Sequence, residues 1–168
     1  MRKRIDRYVE DALVDFGDWY IDAEWYGKER DCVNMYALGF LARNVQKGVA
    51  IEDMAQIRIE SPVPQPPGYK SPTAHKDLTV WSDGLSTSWD QNWEVADWPR
   101  IVMEWKFKRI GKPPTTFDEH DTGWLRSFTA AFEDTFGYVI RVYDGSRGRV
   151  VDWAKITRGI LNATNRRS

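Results

Sequence analysis

Residues 100–108 read RIVMEWKFK, and this stretch decides the fold. Its apolar residues alternate with other residues, and a period of two is typical of a β-strand. The alternation places Glu104 and Lys106 on one face of the strand, opposite the face that carries Met103 and Trp105. Two charged side chains therefore share a face of a strand that is otherwise rich in large apolar residues.

The segments around this strand predict an α/β protein. Apolar spacing near 3.6 residues indicates helices, whereas short alternating or apolar runs indicate strands. Five of the eight prolines fall in residues 61–76, which we interpret as a loop. In chain order we expect helices over residues 4–20 and 29–45, strands over 56–60, 77–81 and 100–108, a helix over 124–136, a strand over 138–143, a short strand over 149–151 and a last helix over 153–161.

Length and composition favour a single domain over residues 1–168. The chain has 168 residues, 42% of them hydrophobic, which is enough for one compact core. The segments on either side of the proline-rich loop are too short to bury separate cores. We therefore expect N-terminal helices in residues 1–47, a sheet core in 56–143 and a basic C-terminal segment in 144–168.

Composition also excludes several classes of protein. The net charge of −1 is unlike that of a histone-like binder. Cys32, the single cysteine, excludes a disulfide framework and fits a small core residue in a reducing compartment. No apolar run approaches the roughly 18 to 20 residues of a membrane span, and the N-terminus does not resemble a signal peptide. We therefore expect a cytoplasmic location.

Charge is distributed unevenly along the chain. Residues 100–112 carry five basic groups against one acid, and residues 141–168 carry seven against two. Such basic patches suit phosphate backbones. Arg147 and Arg149, in a predicted turn, are the candidate phosphate contacts, whereas Arg166 and Arg167 are interpreted as a solvated tail.

The insertion at residues 82–99 has a different character. It carries four acidic groups, no basic group and three tryptophans. Two interpretations stay open: the rings stack on splayed bases, or the segment faces a protein partner.

Asp77 supplies a second acid near Glu104. It opens the predicted strand DLTVW, which directly precedes the Glu104 strand. If the two strands are neighbours, Asp77 and Glu104 come together, with Lys106 about 6 to 7 Å along the strand from Glu104. Paired carboxylates suit a hard divalent cation such as Mg²⁺. A lysine beside them can orient a water and stabilise negative charge on a phosphate.

Asp77 followed by Glu104-Trp105-Lys106 inside an apolar strand resembles the PD-(D/E)xK motif of restriction-endonuclease-like nucleases. The predicted element order over residues 29–143 is similar to theirs as well. The resemblance implies a mixed central sheet of about four strands flanked by helices. It also implies Mg²⁺, or Mn²⁺ in its place, held by Asp77 and Glu104 with the Trp105 carbonyl, and Lys106 near the attacking water.

Two further positions bear on this resemblance. Glu29 matches the acid that many members carry on the helix before the first strand, and Glu24 is a weaker match. Lys76 stands where the motif has its proline, which is often missing in this superfamily.

The resulting hypothesis is a Mg²⁺-dependent nuclease that hydrolyses DNA. Three questions stay open: whether RNA is also a substrate, whether cleavage is internal or terminal, and which pathway the protein serves. Asp77, Glu104, Lys106 and Glu29 form its expected catalytic set. Cleavage of both strands of a duplex would suggest a homodimer. The alternative is a catalytically silent nuclease-fold protein that binds nucleic acid, or a protein partner through the insertion at residues 82–99.

Overall fold

The computed structural model describes residues 4–109, 115–145 and 148–168 of the chain. It is a mixed α/β structure in which helices pack on both faces of one sheet. Within these three ranges, no helix is both long enough and apolar enough to cross a bilayer. The elements are α1 (Ile5–Asp22), α2 (Glu29–Asn34) with a π-helical turn (Met35–Phe40) and a 3-10 turn (Leu41–Asn44), a 3-10 turn (Met54–Gln56), β1 (Ile57–Pro64), β2 (Thr73–Val80), β3 (Ile101–Lys108), α3 (Glu119–Ala131), β4 (Phe136–Gly145), β5 (Gly148–Thr157) and β6 (Ile160–Arg167).

The sheet contains six strands, which lie side by side in their order along the chain. β3 and β4 are parallel and are connected through α3, whereas all other neighbouring pairs are antiparallel. The sheet is therefore mixed, as predicted. The prediction of about four strands is wrong because the C-terminal segment adds a full hairpin, β5 and β6.

Two hydrophobic cores lie on opposite faces of the sheet. Phe16 of α1 packs against Trp105 of β3 in the first core, with ring centroids 5.5 Å apart. Trp124 of α3 and Val102 of β3 belong to the second core. Successive residues of β3 thus alternate between the two cores, as the period of two in residues 100–108 predicts.

The second helix departs from the continuous helix predicted over residues 29–45. Its backbone changes to a π-helix at Met35 and to a 3-10 helix at Leu41. Phe40, at the last change, has φ −124°, far from helical values, and follows Gly39, a weak helix former. The apolar stripe predicted for the segment nevertheless packs on the first core: Val33, Tyr36, Ala37, Phe40 and Leu41 are buried, and Val45 is half-buried.

The helix predicted over residues 153–161 is wrong, because these residues form the β5–β6 hairpin. Thr157 pairs with Ile160, which leaves Arg158 and Gly159 as a two-residue turn. Both turn residues have positive φ, as a type I′ hairpin turn requires and a helix forbids. The residues that were expected to form a solvated tail therefore belong to an edge strand.

The proline-rich segment, predicted to be a loop, is largely a two-stranded arm. Residues 61–64 of β1 pair with residues 73–76 of β2, and β1 tolerates its prolines because it is an edge strand. At Glu60, which has φ 52°, β1 turns so that the side chains beyond it face the other side of the sheet. Ile59 packs on the first core, whereas Val63 belongs to the second, although regular alternation would give them one face. This change of sides occurs opposite Asp77.

Candidate functional site

The strands that carry Asp77 and Glu104 are neighbours, which confirms their predicted adjacency. β2 and β3 pair antiparallel through Leu78–Met103, Thr79–Val102 and Val80–Ile101. Pairing ends at Leu78, one residue after Asp77 along the chain. β3 therefore has an edge beyond Met103 at which the Asp77 side chain takes the place of a strand partner.

Two carboxylates satisfy successive backbone donors on this edge. Asp77 Oδ2 accepts a hydrogen bond from the Trp105 N–H at 2.7 Å. Glu29 Oε2, from the first turn of α2, accepts one from the Phe107 N–H at 2.9 Å. Alternate residues of a strand direct their N–H groups to the same edge. Asp77 and Glu29 thus meet at one short segment of β3.

Glu29, and not Glu24, is the acid that the fold brings to β3. Glu24 is exposed in the connection between α1 and α2. Glu29 is half-buried and lies close enough to Lys106 for its negative charge to raise the pKa of that lysine. The apolar stripe of α2 packs on the sheet and carries Glu29 with it.

Glu104 and Lys106 line a cleft between β3, β4 and the start of α3. Lys106 Nζ lies 3.1 Å from Asp121 Oδ2 of α3. The Glu104 carboxylate forms a buried ion pair with Lys76. Neither partner, Asp121 or Lys76, was expected from the sequence to take part in the site.

The Glu104 carboxyl titrates far from its ordinary range. Burial raises its pKa to about 7, an increase that the Lys76 ammonium opposes and that the charges of Asp77 and Asp121 reinforce. For Lys106, burial lowers the pKa, but the hydrogen bond and charge of Asp121, with the charges of Glu29 and Asp77, outweigh it and raise the pKa. These residues form one electrostatically coupled group.

Lys76 is the least expected member of this group. It is buried, and its ammonium lies 3.7 Å from the centroid of the Trp124 ring in the second core. A buried lysine needs a partner of opposite charge, and Glu104 provides it. The sequence signal was the position of Lys76 directly before Asp77, where the resemblance led us to expect a proline.

The oxygen donors at this site suit a hard divalent cation. The described ranges contain no group of three or more His, Cys, Asp or Glu arranged to hold a metal. Mg²⁺, however, often binds through only one or two carboxylates, with waters and substrate phosphates completing its shell. Asp77, Glu104 and the Trp105 carbonyl are the oxygen donors that would hold the ion.

Arg149, predicted to contact a phosphate backbone, is instead a structural residue. Its side chain is only 11% exposed. The guanidinium donates to three backbone carbonyls at and after the end of α1, and it also contacts Asp144. Arg147 and Lys112, which belonged to the predicted basic patches, lie outside the described residues.

Both basic residues of β6 are also paired. In β6, Arg166 Nε lies 3.6 Å from Asp152 and Arg167 Nε lies 2.9 Å from Asp18. Lys108, at the end of β3, is exposed. The basic character expected of these segments is therefore partly used in internal ion pairs.

The insertion at residues 82–99 presents one tryptophan to solvent. Trp93 is 82% exposed, whereas Trp89 and Trp98 are half-buried. The Asp90 carboxylate accepts hydrogen bonds from the backbone on both sides of Trp93, so the turn is ordered. The geometry does not distinguish a base from a protein partner as the group that Trp93 meets.

Comparisons of the chain with protein-family models, with curated proteins and with solved structures found no significant match. The functional interpretation therefore rests on the residues and their geometry.

Proposed function

We propose that this protein is a divalent-metal-dependent nuclease that hydrolyses DNA phosphodiester bonds on a restriction-endonuclease-like core. One observation carries the proposal: Asp77 and Glu29, from two other elements, accept hydrogen bonds from the backbone on either side of Lys106, in the segment of β3 that also carries Glu104. Glu29 and Phe107 are 78 positions apart in the chain. A motif matched by chance would have no reason to gather its separate members at one segment of one strand.

The position of each residue supports a distinct role. When bound, Mg²⁺ or Mn²⁺ supplies positive charge at the phosphate and lowers the pKa of a coordinated water. Asp77 and Glu104 would hold the ion with the Trp105 carbonyl, while Glu29 positions the adjoining backbone of β3. Lys106, at the mouth of the cleft, stabilises the negative charge that develops as water adds to phosphorus and the P–O bond to the leaving oxygen breaks.

The experiment is a cleavage assay with Mg²⁺ or Mn²⁺ on end-labelled single- and double-stranded DNA and RNA. We expect DNA cleavage that EDTA abolishes and that Asp77→Asn loses. Asn at this position keeps an oxygen that accepts the Trp105 hydrogen bond, so the variant should stay folded. Arg43→Gln, at an exposed position in the 3-10 turn that follows α2, is the control. Metal-dependent cleavage by Asp77→Asn at the wild-type rate would contradict the proposal.

The Lys76–Glu104 ion pair favours a second candidate, a catalytically silent protein of the same fold. An ammonium that occupies Glu104 competes with a cation for the carboxylate. Such a protein would bind nucleic acid, or a protein partner through the insertion at residues 82–99, without hydrolysis.

Lys76→Met distinguishes the two candidates. In an active nuclease Lys76 would compete with the cation for Glu104, so removing the lysine should strengthen Mn²⁺ binding by about tenfold, the effect of one competing interaction. Isothermal titration calorimetry measures this change, and Lys108→Met is the matched control. If neither the wild type nor Lys76→Met binds Mn²⁺, the silent candidate is favoured.

A further inference from the structure

The cleft beside Glu104 and Lys106 has a volume of about 590 Å³. Its floor is formed by β3 and β4, and its wall by residues 116–121 at the start of α3. A volume of this size matches sites for small molecules or for one or two nucleotide units. A DNA duplex is too wide to enter it.

Arg141 of β4 lines this cleft directly beside Lys106, because the two residues are paired in the β3–β4 ladder. The residue is 8% exposed. Its Nε and Nη2 donate to Asp152 of β5, and the Phe117 ring centroid lies 4.8 Å from the guanidinium carbon. The guanidinium is therefore held in one orientation from two sides.

Nη1 of Arg141 is the nitrogen that Asp152 leaves unused. It is buried, and no described residue accepts a hydrogen bond from it. A buried donor without an acceptor costs about 1 to 3 kcal/mol, so an anion that reaches it recovers this free energy. Phe117 is half-buried, and a ligand would reach Nη1 from the cleft by shifting this ring.

Two of the acids that line the cleft are engaged within the protein. Asp118 caps α3 by accepting from the Asp121 N–H, and Asp121 is paired with Lys106. Lys108, on the same face of β3, adds a further exposed cation to the cleft lining. The cations of the cleft thus lie on β3 and β4, which form its floor. Of the three acids at the start of α3, one accepts a backbone hydrogen bond and one forms an ion pair.

We propose that Arg141 forms a subsite for the phosphate adjoining the scissile phosphate in a single DNA strand. The proposal rests on the proposed function, which assigns the scissile phosphate to Asp77, Glu104 and Lys106. Neighbouring strands lie about 4.8 Å apart, so Lys106 and Arg141 can meet consecutive phosphates of one strand. Asp152 holds the planar fork of Arg141, and Nη1 is left to donate to a phosphate oxygen.

Thymidine 3′,5′-bisphosphate is the probe, because it carries two adjacent phosphates on one nucleoside. We expect wild type in EDTA to bind it about tenfold more tightly than thymidine 5′- or 3′-monophosphate, the effect of one charge-assisted contact. The variant Arg141→Gln/Asp152→Asn replaces the buried pair with neutral groups of similar shape and should lose this preference. Arg141→Lys keeps the charge but not the fork and should retain only part of it.

Arg43→Gln is the control and should bind like wild type, with thermal unfolding used to show that all variants are folded. Equal affinity of wild type for the bisphosphate and the monophosphates, or an undiminished preference in the double variant, overturns the subsite. The nuclease proposal fails separately: an Arg141-dependent preference without any metal-dependent cleavage would leave the subsite standing and exclude hydrolysis.

Discussion

Lys106 and Asp121 form the ion pair at the mouth of the cleft, but the two side chains are buried to different extents. A substitution of Lys106 can therefore affect both catalysis and stability, and the two effects need separate measurements. The Lys106 side chain is 52% exposed, whereas that of Asp121 is 11% exposed. Removing Lys106 alone leaves a buried carboxylate unpaired, which destabilises the fold for a reason unrelated to chemistry. A test of the lysine therefore has to neutralise its partner as well.

We expect Lys106→Gln/Asp121→Asn to lose cleavage by at least about 100-fold while its affinity for an oligonucleotide in EDTA changes by less than about threefold. One lysine stabilises charge in the transition state but makes only one of several contacts in the ground state. Single-turnover cleavage and fluorescence anisotropy measure the two quantities. Asp121→Asn alone is the matched control, and cleavage by the double variant at its rate would exclude Lys106 from the mechanism.

The burial of Glu104 makes protein stability depend on pH in a definite direction. Its pKa is about 7 in the folded protein against 4.5 ordinarily, so the folded state holds the proton more tightly than the unfolded state does. The contribution of Glu104 to the free energy of unfolding is therefore largest below pH 4.5 and falls as pH rises to about 7.

Glu104→Gln should remove this dependence, because the amide does not titrate but still accepts a hydrogen bond from Lys76. We expect the stability of wild type relative to the variant to fall by about 3 kcal/mol across this pH window and then to stay constant. Urea unfolding in EDTA at a series of pH values measures the difference. Parallel pH profiles for the two proteins would contradict the assignment of the raised pKa to Glu104.

At the scale of elements, the bounds predicted from the sequence were most accurate where the spacing of apolar residues is regular and matches the residues that are buried. β3 alternates over its whole length, and α1 carries a regular apolar stripe, so both were placed within two residues of their ends. The errors lie where the backbone adopts unusual dihedral angles. Positive φ at Arg158 and Gly159 closes a hairpin, and positive φ at Glu60 turns the β1–β2 arm. Single-residue propensities do not reveal these conformations.

Trp93 also has a positive φ, of 63°, and a substitution there tests what the insertion at residues 82–99 contributes. A bulky residue in this region is strained by about 1 kcal/mol or more, and glycine is not. Because Trp93 buries little surface, Trp93→Gly should raise the free energy of unfolding by up to about 1 kcal/mol. Thermal unfolding measures the effect. A clear loss of stability would mean that Trp93 serves folding rather than binding.

At the scale of the whole molecule, the sequence predicted the candidate site residues but not the residues that they contact. Residue type and strand position made Asp77, Glu104 and Lys106 candidates, and the resemblance to the nuclease family added Glu29. Their partners were not visible, since Lys76 and Asp121 meet them only after the arm turns and α3 packs. Arg141 left one signal, a charged residue in the middle of the apolar strand YVIRVY.

The internal contacts of the basic residues limit how strongly the molecule can bind a polyanion. The net charge is −1, and Arg149 is held by backbone carbonyls and Asp144, so attraction depends on a few exposed cations such as Lys108 and Arg158.

About three phosphate contacts predict a slope near −2 for log K against log salt with single-stranded DNA. Lys108→Gln should make the slope shallower by about 0.7, whereas Arg43→Gln should not. Asp77→Asn should bind more tightly in EDTA at an unchanged slope, because it removes a charge that repels the scissile phosphate. Anisotropy titrations over a range of NaCl concentrations measure all four proteins, and a slope that does not respond to Lys108→Gln would place the bound strand elsewhere on the surface.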